Sequence, residues 1–256
     1  MNGPVVEVRD LRKVIEGREI LKGISFEVRE GEIFSIIGGS GSGKTSITKH
    51  IVGLWKPTSG SVKVFGEEVS LLTQDELDSL RKDIGYVFQE GALFDSLKVW
   101  ENVGFYFLEH TSMPREEIRE LALEKIRLVD LEEDVLDLMP SELSGGMRKR
   151  VSIARAIATD PRLIIYDEPT SGLDPITSRV IDRLILDLRE KTGTTAIVVT
   201  HDMISAFTIS DRLILVKKGV AVSMGTPSEV LRSENPIVHE FVGEMREFLL
   251  SQSESV

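Results

Sequence analysis

The apolar residues of this 256-residue chain change their spacing twice. Up to about residue 90 they alternate or come in short runs. VVEVRDL and ILKGISFEV are rich in branched residues, with EGRE between them, which predicts an antiparallel pair of strands. EIFSII (32–37) predicts a buried strand that runs into glycines. TSITKHIVGL (45–54) then takes helical spacing, with Ile47, Ile51 and Leu54 on one face. SVKVFG and IGYVFQ are two further strand candidates.

From about 90 to 160 the spacing is helical, in WENVGFYFLEH, PREEIRELALEKIRLV and LSGGMRKRVSIARAIA. Pro114, Pro140 and Pro161 punctuate these segments. After 161, strands and helices alternate: RLIIY, DPITSRVIDRLILDLREK, TAIVVT, DMISAFTIS and RLILVKKG. Asp174 is a helix N-cap candidate, with Pro175 at the first helical position. Alternation of this kind predicts a parallel sheet covered by helices. The expected fold is α/β, with a mostly parallel sheet, an N-terminal antiparallel β subdomain and an inserted α-helical subdomain at about 90–160. One domain is expected over 1–245, with a flexible tail at 246–256 after a final helix.

Composition narrows the classes. With 41% hydrophobic and 29% charged residues, the chain can bury a real core. It has no cysteine, which removes disulfides and thiolate metal sites and fits a reducing compartment. Glu7, Arg9, Asp10, Arg12 and Lys13 argue against a signal peptide, and no apolar run reaches the ~18 residues of a membrane span. A net charge of −11 argues against a nucleic-acid partner.

The candidate chemistry begins after EIFSII. Gly38, Gly39, Ser40, Gly41, Ser42, Gly43, Lys44 and Thr45 match G-x-x-x-x-G-K-[ST], after a strand and opening a helix, as that motif requires. Its glycines let successive backbone N–H groups turn inward toward phosphate oxygens. Lys44 supplies a point charge for the β- and γ-phosphates, about 4 kcal/mol at ~4 Å and an effective dielectric near 20. The Thr45 hydroxyl can bind Mg²⁺. A P-loop NTPase core follows from this.

Other strand ends carry matching groups, and ligands of open α/β sheets bind beyond carboxyl ends. Asp167 is placed to hold Mg²⁺, and Glu168 to orient or deprotonate an attacking water. His201 ends another strand and is a candidate γ-phosphate contact. His50, His110 and His239 read as surface or packing residues. Gln89, also past a strand, could reach Mg²⁺ or the attacking water. In SELSGGMRKR, Ser144 has N-cap chemistry and Gly145 and Gly146 leave bare amides, a second anion site. The basic run Arg148 to Arg150 reads as a solvated or phosphate-facing edge.

In this order, the P-loop, Gln89, LSGGM (143–147), LIIYDE (163–168), SGLD (171–174) and His201 resemble the ATP-binding-cassette ATPases, over roughly residues 5–245. GALFDSLKVWENV, SELSGGMRKRVSIARAIATDP and YDEPTSGLDPITS further resemble the ATPase subunit of MCE-associated lipid transporters. The resemblance implies ATP and Mg²⁺ as cofactors. It implies catalytic roles for Glu168, His201 and Gln89, metal contacts from Thr45, Gln89 and Asp167, and nucleotide contacts along the P-loop through Ser46. It also implies a head-to-tail homodimer, in which Ser144, Gly145, Gly146 and Asp174 serve the partner's nucleotide. Ile15 falls where many such chains stack an aromatic residue on adenine. A separate integral membrane permease, further lipid-transport subunits and a place on the cytoplasmic face of the membrane are implied too. Leu93, Phe94, Leu97, Val99 and Trp100 could form the groove for the permease, or could be subdomain core. The alternatives are a soluble cassette ATPase on ribosomes or DNA, and a P-loop kinase, which leaves LSGGM and SGLD unexplained.

Overall fold

The computed structural model describes residues 3–243. In chain order the elements are β1 (Val6–Ile15), β2 (Arg18–Val28), β3 (Ile33–Ile37), α1 (Lys44–Ile51), β4 (Ser59–Val64), β5 (Glu67–Glu68) and α2 (Gln74–Lys82). There follow β6 (Ile84–Val87), α3 (Val99–Val103), α4 (Phe105–His110), α5 (Arg115–Leu128), α6 (Gly145–Ala156), β7 (Leu163–Asp167) and α7 (Pro175–Thr192). The last are β8 (Thr195–Thr200), α8 (Met203–Ile209), β9 (Arg212–Lys217), β10 (Val220–Gly225), α9 (Pro227–Leu231) and α10 (Pro236–Val242). The described residues divide into two compact units, one of residues 3–81 and 195–243, the other of residues 82–194.

In the first unit an antiparallel sheet runs β2-β1-β4-β5. The expected hairpin is present, from Val6 opposite Val28 to Ile15 opposite Arg18. A second set of strands runs β10-β9-β3-β8. There β3 is parallel to both β8 and β9, and β10 is antiparallel to β9. All residues of β3 and β8 are buried, which is why both read as apolar runs without alternation. Met203, Ala206 and Phe207 of α8 pack with Leu213 and Leu215 of β9, and Val230, Leu231, Val238 and Val242 of α9 and α10 complete that core.

In the second unit β6 and β7 are parallel, in register from Ile84–Leu163 to Val87–Tyr166. Helices α3, α5 and α6 pack together. Their inner faces are Val99, Trp100 and Val103, then Ile118, Ala122 and Ile126, then Val151, Ile153 and Ala154, all buried.

Two expectations change. Helix α1 stops at Ile51, and the backbone N–H groups of Leu54 and Trp55 both turn back to the Lys49 carbonyl. Leu54 therefore leaves the helical face and is 63% exposed, while Ile47 and Ile51 are buried. WENVGFYFLEH is two short helices that meet at Gly104, not one. Of the apolar residues at 93–100, Val99 and Trp100 are core, whereas Phe94 is exposed. The tail expected at 246–256, and residues 244–245 before it, lie outside the described residues.

Candidate functional site

The loop after β3 fits a polyphosphate. Gly38 sits so close to β9 that a Cβ there would lie 2.2 Å from the Val216 carbonyl oxygen and 2.8 Å from Ser42 Oγ, so only glycine fits. Lys44 is buried, and its Nζ donates to the carbonyls of Gly38 at 2.7 Å and Gly39 at 3.3 Å. The ammonium is thus held inside the curl of the loop. Ser42 Oγ is buried with no hydrogen-bond partner. Gly43 caps α1 without a side chain, so no side-chain oxygen covers the first amides of the helix. The loop is moored from outside: the Gly219 N–H donates to the Ser42 carbonyl at 2.9 Å, and the Gly219 carbonyl accepts from Lys22 N–H at 2.9 Å. Gly39, Ser40, Gly41 and Thr45 are exposed, and Ser46 is half-buried.

His201 belongs to the same strand ends. Ile37 and Thr200 pair across β3 and β8, so Gly38 and His201 leave neighbouring strands side by side. Asp202 then caps α8, accepting from the Ser205 N–H at 3.2 Å. Ile15 lies elsewhere in this unit, at the tip of the β1–β2 hairpin, 36% exposed.

In the second unit the register does the same for the acids. Val87 and Tyr166 are paired. Gln89 and Glu168 each follow by two residues, and Gln89 Nε2 lies 3.4 Å from Ser171 Oγ. Asp167 Oδ2 accepts from the Tyr86 hydroxyl at 3.1 Å. Glu168 is buried and has φ +50°, a left-handed conformation costing on the order of 1 kcal/mol for a residue with a Cβ.

Lys149 does not form a solvated edge with its neighbours. It is 5% exposed, and its Nζ donates to the Gln89 carbonyl and, at 3.4 Å, to the Glu168 carbonyl. Burial pushes its pKa below the usual lysine value, against the opposing pull of the Asp167, Glu168 and Glu90 carboxylates. Arg148 is exposed, and Arg150 donates to the Asp130 carbonyl at 2.8 Å. The sequence did carry a signal for Lys149: it falls three and four residues before the buried Ser152 and Ile153, on the inward face of α6.

The start of α6 is open. Ser144 is its N-cap, and its hydroxyl accepts from the Met147 N–H at 3.3 Å. Ser144 and Gly145 are exposed. A Cβ on Gly146 would stand 2.8 Å from Thr177 Cγ2, so glycine lets the start of α7 come close. Asp174 caps α7, accepting at 3.0 Å from both Ile176 and Thr177 N–H and at 2.5 Å from the Thr177 hydroxyl. The Thr177 hydrogen bonds, with that from Ile176, hold the Asp174 carboxyl below the usual carboxylate range.

Among the described residues no three His, Cys, Asp or Glu side chains gather as a metal cluster. A hydroxyl such as that of Thr45, an amide such as that of Gln89 and a carboxylate such as that of Asp167 are ligand types that could hold Mg²⁺ together with substrate phosphates.

The family model for the ABC transporter matches residues 21–171. The chain is 42% identical over 254 residues to the chloroplast protein trigalactosyldiacylglycerol 3 of Arabidopsis thaliana, covering 93% of this chain and 73% of that one. It is 39% identical to the intermembrane phospholipid transport system ATP-binding protein MlaF of Haemophilus influenzae, covering 94% of this chain and 91% of that one. Its fold matches the dimeric post-hydrolysis state of the ATP-binding cassette MJ0796 bound to ADP and Pi, with a TM-score of 0.78 and 37% identity, covering 87% of this chain and 98% of that one.

Proposed function

The chain is an ATPase of the ABC transporter family, and on that premise we propose that it drives a separate membrane permease for lipid, as a head-to-tail homodimer assembled by ATP. The observation that carries this reading is the pair of unlike anion sites. The loop at 38–46 encloses its own lysine, whereas the start of α6 presents exposed amides and a single hydroxyl. One helix dipole is a weak anion site, but it becomes useful against a highly charged triphosphate held by another subunit. Ser144, Gly145 and Gly146 then take the γ-phosphate of the partner's nucleotide, with Asp174 at the same interface.

Residues 38–46 cradle the triphosphate of the chain's own ATP, and Lys44 neutralises its β- and γ-oxygens. Thr45, Gln89 and Asp167 would hold Mg²⁺, which would draw charge from the phosphate oxygens. Glu168 takes the proton of the attacking water, Gln89 helps orient that water, and His201 contacts the γ-phosphate. Ile15 lies against the base. ATP gains contacts from both subunits in the closed dimer and so favours closure; loss of the γ-phosphate releases it. The permease is carried by a docking surface that includes the exposed Phe88 and Phe94. No helix among the described residues is long and apolar enough to cross a membrane. The chain's place in this reading is the cytoplasmic face, beside the permease. Lipid as cargo is supported by the names of the phospholipid and galactolipid relatives. Further lipid-transport subunits would complete the machine, and no nucleic acid takes part.

Glu168→Gln tests the core of this reading. The amide cannot accept a proton, so turnover should fall ~10²–10⁴-fold while ATP binding persists. With Mg-ATP the variant should elute as a dimer on size exclusion. Normal turnover sinks the assignment of Glu168, and a monomer at high protein concentration sinks the shared site. Affinity capture of the tagged wild-type chain from detergent-solubilised membranes should return a multi-span membrane protein, and Phe94→Glu should abolish that capture without loss of ATP binding. Capture of ribosomes or DNA alone overturns the transporter reading. ATPase activity of the captured complex should respond to added phospholipid; indifference to phospholipid, with a response to a water-soluble solute, overturns the lipid assignment.

A further inference from the structure

We propose that Lys149 is a positioning residue: it ties the backbone of Gln89 and of Glu168 to α6, so that the start of that helix and the chain's own hydrolytic side chains move as one body. The proposal rests on the roles given above to Gln89, Glu168 and Ser144. Residues 89–92 belong to no strand or helix. The carbonyls of Gln89, Gly91 and Ala92 are instead gripped from α6. Lys149 Nζ donates to the Gln89 carbonyl. Six residues on, Arg155 donates to the Gly91 carbonyl at 2.9 Å and the Ala92 carbonyl at 2.7 Å. The same ammonium reaches the Glu168 carbonyl at 3.4 Å. Two segments about 80 residues apart thus converge on one cation.

The chemistry favours this role over ordinary packing. A buried ammonium with carbonyl acceptors is costly unless it replaces a defect. Here it pairs with the Gln89 carbonyl past the end of β6 and adds a second donor to the Glu168 carbonyl, which also accepts from the Ser171 N–H at 3.2 Å. Gln89, Gly145, Lys149 and Ser171 border a cavity of about 260 Å³. Lys149 holds the loop at the wall of that cavity. An anion that pulls on the exposed start of α6 would displace Lys149 five residues in, and with it the backbone on either side of the reacting water. Nucleotide bound across the dimer would in this way be felt at the chain's own hydrolytic groups.

Lys149→Met keeps the stem and removes the donor; Lys149→Arg restores a donor fork. Each is compared with wild type in the full chain. Amide hydrogen exchange without nucleotide should quicken at 89–92 and 168–171 in Lys149→Met and return toward wild type in Lys149→Arg. With Mg-ATP, kcat of Lys149→Met should fall about tenfold to a hundredfold while KM stays within about twofold, and Lys149→Arg should recover most of the loss. Unchanged exchange and kcat in Lys149→Met overturn the proposal. So does a loss that falls on KM, or one that Lys149→Arg does not relieve. Should Lys149→Met lose its cooperative melt, Lys149→Leu, which also lacks a donor, is read on the same terms. If Glu168→Gln still turns over, the hydrolytic assignment fails, while the exchange result still decides whether Lys149 holds the two segments.

Discussion

The two helix starts proposed as anion sites, α1 and α6, are built in opposite ways. At α1 the cap is a glycine with no side chain, the cation is buried in the loop, and the moorings come from β9 and the turn after it. At α6 the cap is an exposed serine whose hydroxyl is engaged with Met147 N–H, and Lys149 turns away from the start toward Gln89 and Glu168. The first encloses its own counter-charge. The second has donors but no enclosed counter-charge, so it can add affinity only to an anion that something else already holds. A helix N-terminus is therefore not one kind of site; what surrounds it decides whether it binds or only completes.

Substitutions can break that contrast, and their effects differ in size. Lys44→Ala should weaken ATP binding by about a hundredfold or more and abolish hydrolysis, read by nucleotide titration and phosphate release. Near-normal turnover would mean that α1 is not the complete site. Ser144→Ala should leave the affinity of the isolated subunit unchanged and weaken the ATP-dependent dimer about tenfold to a hundredfold, read by concentration-dependent elution. Weaker binding by the monomer would place both helix starts on one nucleotide. Ile15→Tyr should tighten adenine over guanine nucleotides by about two- to tenfold, the worth of one aromatic contact; an unchanged ratio and affinity would remove the hairpin tip from the base.

The smallest effect concerns the cap on α7. Asp174→Ala should lower the melting temperature by about two to four degrees at neutral pH. The folded carboxyl is held below its unfolded value. The stability it adds is therefore full above the ordinary carboxylate range, near pH ~4, and is lost as pH falls through the folded value. The wild-type advantage should shrink only in that acid window, and a constant gap down to pH ~2 would show that the charge is not what caps the helix.

Much of this was legible because the carrying signals are local. The P-loop is one uninterrupted run, the parallel strands are short apolar segments, and Ser144 and Asp174 are caps beside the helices they start. What escaped the reading depends on partners far along the chain. Lys149 sits in a basic triplet, and only the inward face of α6 separates it from Arg148 and Arg150. Its acceptors are carbonyls, which every residue has, so no residue type announces them. Leu54 kept helical spacing, but the backbone had already turned back to Lys49. Tyr86 meets Asp167 only because β6 and β7 run in register. The left-handed backbone at Glu168 has no sequence mark, since glutamate rarely adopts it.

The mooring of the P-loop by Gly219 has a consequence for how the protein is made. The loop lies near the start of the chain, and its outer tether is synthesised about 175 residues later, roughly 10–35 s at ribosomal speed. Strand β3 waits as long, since its neighbours β8 and β9 begin at Thr195 and Arg212. During that interval a fully apolar strand and an unfinished nucleotide loop emerge without their partners. Nascent chains halted before about residue 212 should then bind chaperones and fail to retain ATP. The motif most easily read in the sequence is among the last to become a site.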